Sequence, residues 1–357
     1  MLKFHPLKVK ARNEVAEDAV CITFELPPDL RNQFDFHAGQ HIAVRLPEGD
    51  VRRTYSIVCP KGSSDLRIGV RQQPGGEVSN FLAQHLKIGE TLEVLTPNGS
   101  FHTQIEPQRI KHYVAFAAGS GITPVLSIVA TALALERNSR FILFYGNRTT
   151  ASTMFVDEVL ALKNRFPSRF SVHFVMSREP QDSELFNGRL DRVKVREFAN
   201  VFFDAAGIDE FFICGPGSMV EEVSAALREL GTPGKIHTEL FSTLERPAGM
   251  PRQQATSPTT DARGETQVTV VIDGRRRNFS MQRDGNESVL DAAARAGIDL
   301  PYSCTAGVCS TCRTRVVKGN VRMEYNLALE DWEVEAGYAL CCQARPMTAE
   351  LEISYDE

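Results

Sequence analysis

Nine residues, CTAGVCSTC at 304–312, do most to limit what this chain can fold into. Three thiols at intervals of five and three cannot make two disulfides, and a single disulfide would leave a spare thiol beside it. The spacing C-x4-C-x2-C suits the ligand run of a [2Fe–2S] cluster, which needs a fourth cysteine further along. Two candidates stand side by side, Cys341 and Cys342. Zinc is the rival metal, because CxxC opens many zinc sites. Those sites more often pair the motif with a second CxxC or a CxxH, and the x4 gap with one distant ligand fits them poorly.

The length of 357 residues suggests two or three domains. The longest apolar runs, HYVAFAAG and FILFYG, are far too short to cross a bilayer, so no membrane association is expected. No N-terminal segment joins a basic end, an apolar stretch and a small-residue cleavage site, so secretion is not expected. Cys21, Cys59 and Cys214 are scattered without a disulfide pattern, and a reducing cytoplasm is the consistent compartment. The net charge of -5 argues against a nucleic-acid partner. From Glu265 onward there are 10 Lys and Arg against 15 Asp and Glu, whereas the preceding 264 residues hold 30 of each. All of the net negative charge thus lies with the cysteine run.

Texture divides the chain into a multi-domain protein. Residues 1–106 give short alternating segments such as QHIAVRL, RTYSIV, DLRIGV and TLEVL, the pattern of an antiparallel β-barrel. Residues 107–243 alternate apolar strands with helical stretches: HYVAFAAG before ITPVLSIVATALALE, FILFYG before FVDEVLALKNRF, then FSVHFVMS, and EFFICGP before SMVEEVSAALREL. That order implies an α/β domain with a parallel sheet, whose ligands bind at the carboxyl ends of the strands. Residues 244–264 lie within a Pro-, Thr- and Gln-rich stretch without periodicity and should be a flexible linker. Residues 265–357 offer a hairpin, the helix SVLDAAARAG, the cysteine loop and strands near TCRTRVV, YALCCQA and LEISY, a small α+β unit.

Several short motifs carry chemistry in combination. RTYS at 53–56 alone is an ordinary strand sequence. With GGEVSNFL at 75–82, it supplies an aromatic to cover a flavin ring, an arginine, and a glycine-opened helix start suited to a pyrophosphate. AAGSGITP at 117–124 is a glycine-rich strand-to-helix turn. A lone turn of this kind says little, but its place after the first parallel strand supports dinucleotide binding. CGPGSM at 214–219 follows a later strand of the same sheet, where Gly215, Pro216 and Gly217 would form a second open turn. Cys214 by itself is equally well a small buried hydrophobe.

Taken together, RTYS, GSGITP, CGP and the closing HTELF resemble the ferredoxin–NADP reductase superfamily over residues 1–243. Residues 265–357 resemble plant-type ferredoxins of β-grasp fold. The module order, with CTAGVCSTC and GYALCCQARP, resembles the reductase subunits of phenylacetyl-CoA epoxidase systems; reductases of ketosteroid hydroxylases and of hybrid-cluster proteins are near relatives. The resemblance implies that Arg53, Thr54, Tyr55 and Ser56 contact FAD, with Tyr55 against the isoalloxazine and Ser56 near its N5. It implies that Gly76, Val78 and Ser79 hold the pyrophosphate, and that Gly119, Thr123, Pro124, Gly215 and Pro216 shape the nicotinamide nucleotide cleft. Cys214 and Glu239 would stand close to the reacting nicotinamide, and Phe241 where relatives carry a terminal aromatic over the flavin. Plant enzymes have tyrosine there. The implied cluster ligands are Cys304, Cys309, Cys312 and Cys342, the last chosen over Cys341 by the family interval of 29 intervening residues. On an extended strand, moreover, adjacent side chains face opposite ways, so only one of the two thiols readily meets the cluster.

The function so implied is electron transfer from NAD(P)H through FAD and a [2Fe–2S] cluster to a separate protein, expected to be the di-iron oxygenase of phenylacetate degradation. NADPH is expected over NADH. Ser177 and Arg178 of SREP would lie beside the adenosine ribose, with Arg148 adding charge that suits a 2′-phosphate. The carboxylates of LEDWEVE, 329–335, would offer an acidic docking surface near the cluster. The chain itself lacks oxygenase signatures: no histidine follows His237 for a Rieske centre, and no paired Glu-x-x-His motif suggests a di-iron bundle. A different class of reading is a zinc-containing binding module joined to a degenerate flavin-like domain.

Overall fold

The computed structural model describes residues 3–48, 50–241, 264–283 and 285–356. The expected linker lies outside the described residues except for Gly264, which opens a strand. The chain divides into two compact units near residue 247. No described helix is long and apolar enough to cross a membrane.

The first unit begins with six antiparallel strands: β1 (Phe4–Ala16), β2 (Ala19–Glu25), β3 (His41–Arg45), β4 (Arg52–Ser56), β5 (Leu66–Arg71) and β6 (Thr91–Leu95), in the order β4-β3-β6-β1-β2-β5. Alternation sends Leu7 and Val9 of β1 inward and Lys8 and Lys10 outward, as period-two geometry requires. The two ends of the sheet meet through the Ile57–Ile68 bridge, where Val58 N–H donates to the Arg67 carbonyl at 2.9 Å. A helical segment, α1 (Glu77–Asn80) continuing as one wider turn to His85, places Val78 and Leu82 in the barrel core.

The rest of the unit is a parallel sheet of β7 (His112–Ala118), β8 (Arg140–Asn147), β9 (Phe170–Met176), β10 (Glu210–Gly215) and β11 (Lys235–Leu240), ordered β11-β10-β7-β8-β9. Its helices are α2 (Ile122–Leu135), α3 (Val156–Arg165), α4 (Arg192–Phe202) and α5 (Gly217–Glu229). Both faces of β7 are covered, so the strand is apolar along nearly its whole length. The α4 helix is an element that the hydrophobic pattern does not announce. It starts where Asp191 accepts the Lys194 N–H at 2.9 Å, and it anchors through Phe198, stacked on Phe144 at 4.3 Å.

Barrel and parallel sheet share one core. Cys21, Ala38 and Val58 of the barrel cluster with Ile122, Val125, Ile128 and Val129 of α2. Ser127 Oγ donates to the Cys59 carbonyl at 2.7 Å, and Arg67 pairs with Glu158 at 2.6 Å. This packing fixes the cleft between the two halves.

The second unit has a mixed sheet ordered β13-β12-β18-β14-β16, made of β12 (Gly264–Ile272), β13 (Arg275–Arg283), β14 (Arg313–Lys318), β16 (Tyr338–Leu340) and β18 (Glu350–Ser354), beside a small pair, β15 (Val321–Met323) with β17 (Ala344–Pro346). The β12–β13 hairpin turns at Asp273 and Gly274, both at positive φ, as a two-residue primed turn demands. Helix α6 (Val289–Arg295) opens with a capping box between Ser288 and Asp291, and Val289, Leu290, Ala292 and Ala293 bury its apolar face.

One expectation fails in detail. Cys341 and Cys342 do not lie on an extended strand. They occupy a turn between β16 and β17, closed by Gln343 N–H donating to the Leu340 carbonyl at 2.8 Å. The turn leads into β17, which pairs with β15, and the two thiols still part company: Cys342 meets Cys304 and Cys312, and Cys341 meets Tyr355.

Candidate functional site

The winding of the parallel sheet reverses between β7 and β10, so the carboxyl ends of these strands leave a crevice open. The loops above them are in contact. Gly119 has φ +55°, and a Cβ there would stand 2.9 Å from Arg71 Nη1. At Gly121 a Cβ would stand 2.1 Å from the Cys214 carbonyl oxygen, a collision with rigid backbone. A Cβ on Gly215 would meet Met219 at 2.7 Å and Ala118 at 3.1 Å. The glycines of GSGITP and CGPG therefore let two loops meet face to face. Pro124 sits in the first turn of α2, where it displaces no helical hydrogen bond. Thr123 is buried, and its hydroxyl donates to the Ser120 carbonyl at 2.9 Å, tying the turn to the helix. Pro216 is the residue before α5.

Cys214 is fully buried in β10, in register with Glu239 of β11. Its thiol faces Glu239 Oε2 at 4.0 Å. Burial, and then the charge of Glu239, push the thiol well above its ordinary range. Burial also raises the Glu239 carboxyl, and the His41 ring pulls it partly back. Glu239 Oε1 lies 3.8 Å from His41 Nδ1. His41 belongs to β3 of the barrel, and its directly paired residue on β4 is Ser56. Of the residues expected from the sequence, Glu239 stands beside a histidine that sequence reasoning misses, Cys214 lies on the far side of Glu239, and Ser56 is paired with His41 across the strands. A lone histidine in QHIAVRL carries no motif, and only the tertiary contact reveals it.

RTYS lies within strand β4, as its alternation suggests. Ser56 is buried, Thr54 and Tyr55 are half-buried, and Arg53 is exposed. Tyr55 packs at the edge of the barrel core, and burial raises its phenol. Arg53 Nη1 donates to the Arg52 carbonyl at 2.8 Å. In the 73–79 loop, Ser79 Oγ accepts from Gln73 N–H at 3.2 Å and donates to the Gly76 carbonyl at 3.3 Å, so its hydroxyl shapes the turn. Gly75 has φ +71° with open space where a Cβ would stand, and Gly76 admits none because Ser79 Oγ would be 2.5 Å away. Bare backbone leading into a helix start is what an approaching pyrophosphate needs. Phe241 follows β11 and is 40% exposed, so its ring is available as a cover.

At the ends of β8 and β9, Arg148, Ser177 and Arg178 are exposed neighbours, joined by Ser177 N–H to the Asn147 carbonyl and Arg178 N–H to the Arg148 carbonyl, each at 2.9 Å. The nearby Glu179 is occupied: its carboxylate accepts from the Thr150 N–H at 2.7 Å and hydroxyl at 2.6 Å, which hold it low.

In the second unit, Cys304 shares hydrogen bonds with Cys309 and Cys342, and Cys342 with Cys312, giving a chain of adjacent thiols. Those contacts pull Cys304 down and push Cys309 and Cys342 up. Among the described residues no three metal-ligating side chains close on one point. Three of these thiols come from the 304–312 loop and the fourth from the turn after β16, the number and kind of ligands that a [2Fe–2S] cluster takes. Ala306 N–H donates to Cys304 Sγ at 3.4 Å and Gln343 Nε2 to Cys342 Sγ at 3.7 Å, the kind of donors that stabilise thiolates. Cys341 is fully buried and turned to the Tyr355 hydroxyl. The LEDWEVE carboxylates are not one free face. Glu333 is buried and bonded to Arg313 at 2.9 Å, and Glu330 accepts from the exposed Trp332 indole at 2.6 Å, leaving Asp331 and Glu335 outward.

Comparison with known proteins matches an oxidoreductase FAD-binding domain at residues 6–103, an oxidoreductase NAD-binding domain at 116–225 and a 2Fe-2S iron-sulfur cluster binding domain at 270–347. The chain is 40% identical to a component of 1,2-phenylacetyl-CoA epoxidase of Escherichia coli (strain K12), covering 100% of this chain and 99% of that one. It is 33% identical to the ferredoxin reductase component of 3-ketosteroid-9-alpha-monooxygenase of Rhodococcus rhodochrous, over 98% of this chain and 96% of that one. Among solved structures, phthalate dioxygenase reductase superposes with a TM-score of 0.60 at 24% identity over 98% of both chains, a likeness of fold.

Proposed function

The chain belongs to the family of NAD(P)H-dependent flavin and iron–sulfur reductases that includes this component of 1,2-phenylacetyl-CoA epoxidase, and from that premise we propose that it carries electrons from NADPH to a di-iron oxygenase acting on phenylacetyl-CoA. The observation that supports this most strongly is full-length identity of 40% to the epoxidase component, against 33% to the ketosteroid reductase. FAD and a [2Fe–2S] cluster, when bound, supply the conversion from two-electron to one-electron transfer that side chains lack.

The protein's own residues bind, orient and shield. Residues 1–106 would hold FAD, with Arg53, Thr54, Tyr55 and Ser56 along its ring and Gly76, Val78 and Ser79 at its pyrophosphate. Residues 107–243 would seat the nucleotide on Gly119, Thr123, Pro124, Gly215 and Pro216. There Cys214 and Glu239 present a protonated thiol and a buried carboxyl to the nicotinamide, with Phe241 as cover. Arg148, Ser177 and Arg178 would take a 2′-phosphate, which favours NADPH; the adjoining carboxylate, Glu179, is already bound to Thr150. Residues 244–264 would tether residues 265–357, where Cys304, Cys309, Cys312 and Cys342 would hold the cluster. A cytoplasmic setting suits free thiols.

Reconstitution with purified oxygenases tests the partner. The chain should support NADPH-dependent epoxidation by a phenylacetyl-CoA epoxidase complex and little turnover by a ketosteroid hydroxylase. The reverse preference would overturn the assignment.

A further inference from the structure

Where barrel and parallel sheet meet, the buried side chain of His41 has no role in the proposed electron path. His41 is 4% exposed, and its Nε2 has no hydrogen-bond partner. Its placement is not loose. The backbone at position 41 is held by paired hydrogen bonds with Asn98, each 2.9 Å. A Cβ at Gly99 would stand 2.8 Å from His41 Nδ1, so the ring occupies space that only glycine leaves free, and Gly99 sits at φ +116° to leave it. The residue opposite His41 across the β3–β4 pair is Ser56, and directly opposed residues share one face of a sheet. From the other half of the cleft, Glu239 brings Oε1 to 3.8 Å from Nδ1 while its Oε2 faces the Cys214 thiol at 4.0 Å. The two oxygens of one carboxylate are thus divided between a barrel histidine and a nucleotide-domain thiol. The 3.8 Å separation is within ion-pair reach and longer than a hydrogen bond.

We propose that His41 is a positioning residue: a proton on its Nδ1 holds Glu239 Oε1 from the barrel side, so that Oε2 and Cys214 keep a fixed orientation toward the nicotinamide. This rests on the reading that Glu239 and Cys214 stand beside the nicotinamide. A carboxylate without this anchor has a second rotamer available, and loss of alignment at a reacting centre costs rate more than binding.

The test is a double-mutant cycle in the full-length, flavin-loaded protein. NADPH-driven flavin bleaching is followed by anaerobic stopped flow in wild type, His41→Leu, Glu239→Gln and the double variant. His41→Leu should slow bleaching on the order of tenfold. His41→Asn, whose amide nitrogen can stand near the Nδ1 position, should recover most of the rate. In the Glu239→Gln background, the loss caused by His41→Leu should largely vanish, because coupled residues are not additive. The same cycle read from urea midpoints by circular dichroism should also show coupling. If His41→Leu loses flavin, His41→Gln replaces it, since it refills the space without a donor at Nδ1. Additive losses, or no rescue by asparagine, would overturn the role of His41 while leaving the site intact. A Glu239→Gln variant that bleaches at the wild-type rate would instead remove the reading beneath it.

Discussion

The two chemical regions of this molecule are built in opposite ways. The thiol chain of the second unit comes from nine consecutive residues and one distant cysteine, and its loop stands next to a small β-grasp sheet. The cleft of the first unit takes Ser56 and His41 from a barrel, Gly119 from a loop, Cys214 from a strand almost a hundred residues later, and Glu239 from the last strand of the sheet. A local site needs its loop; a distributed one needs the whole fold to be right to within an ångström. The difference predicts how each region breaks.

The sharpest break is between adjacent cysteines. Cys342→Ser should abolish stable [2Fe–2S] assembly, because it removes one thiol of the chain formed with Cys304 and Cys312. FAD should stay bound, and NADPH-driven ferricyanide reduction should persist while cytochrome c reduction fails. Cys341→Ser should keep the cluster and both activities, since that side chain turns to Tyr355. Its buried hydroxyl should cost only about 1–2 kcal/mol of stability. Visible spectra of the two variants check this, and cluster loss in Cys341→Ser alone would show the turn in the wrong register.

In the cleft the corresponding break is steric. Gly121→Ala would drive a methyl group to within 2.1 Å of the Cys214 carbonyl, so one of two backbone loops must move. Overpacking of that kind costs about 1–3 kcal/mol. Flavin reduction by NADPH should fall at least about tenfold, with the iron–sulfur bands unchanged. Equal damage to both chromophores would contradict the independence of the two regions.

The same contrast governs what the sequence discloses. The cysteine run, the βα order of the nucleotide domain and the short alternating barrel strands all act over a few residues, so spacing and periodicity expose them. A family interval and a strand argument separate Cys342 from Cys341; the preference fits the thiol contacts, although the local backbone is a turn. Helix α4 stays hidden because it is short of buried apolar residues, with Val193 and Val201 facing outward, and its anchor, Phe198 on Phe144, is a tertiary contact. His41 and Gly99 stay hidden for the same reason: neither belongs to a motif, and their meeting depends on the pairing of β3 with a loop more than fifty residues later. The acidic run 329–335 is legible only in part: Glu330, Asp331 and Glu335 are exposed, but composition cannot show that Glu333 turns inward to Arg313.

A smaller effect is expected at the coenzyme's far end. Arg178→Ala should reduce the kcat/KM preference for NADPH over NADH by about tenfold, the value of one charge-assisted hydrogen bond of about 1.5 kcal/mol. Steady-state kinetics with both coenzymes check it, and an unchanged ratio would refute the role given to Arg178.

The smallest concerns stability. Burial raises the Glu210 carboxyl, but hydrogen bonds from His237 at 2.9 Å, from Lys111 and from Thr103 at 2.9 Å outweigh it and lower the pKa to about 2 from 4.5. A depressed carboxylate contributes stability that is complete above pH 4.5 and is lost as the pH falls toward 2. The contribution is at most about 2–3 kcal/mol. Glu210→Gln should therefore flatten the acid limb of the unfolding curve over that window in the first unit, and leave the second unit's acid transition where it was.

On this view one chain moves electrons from a nicotinamide through its first unit to the thiol-held centre of its second. Anaerobic titration of the purified protein with NADPH, followed by visible absorption and electron paramagnetic resonance, tests that path directly. Flavin absorbance should bleach, and a rhombic signal of a reduced [2Fe–2S] centre should appear in the same titration and be absent from Cys342→Ser. Flavin that bleaches in the wild-type protein while the iron–sulfur bands remain oxidised and no such signal develops would contradict it.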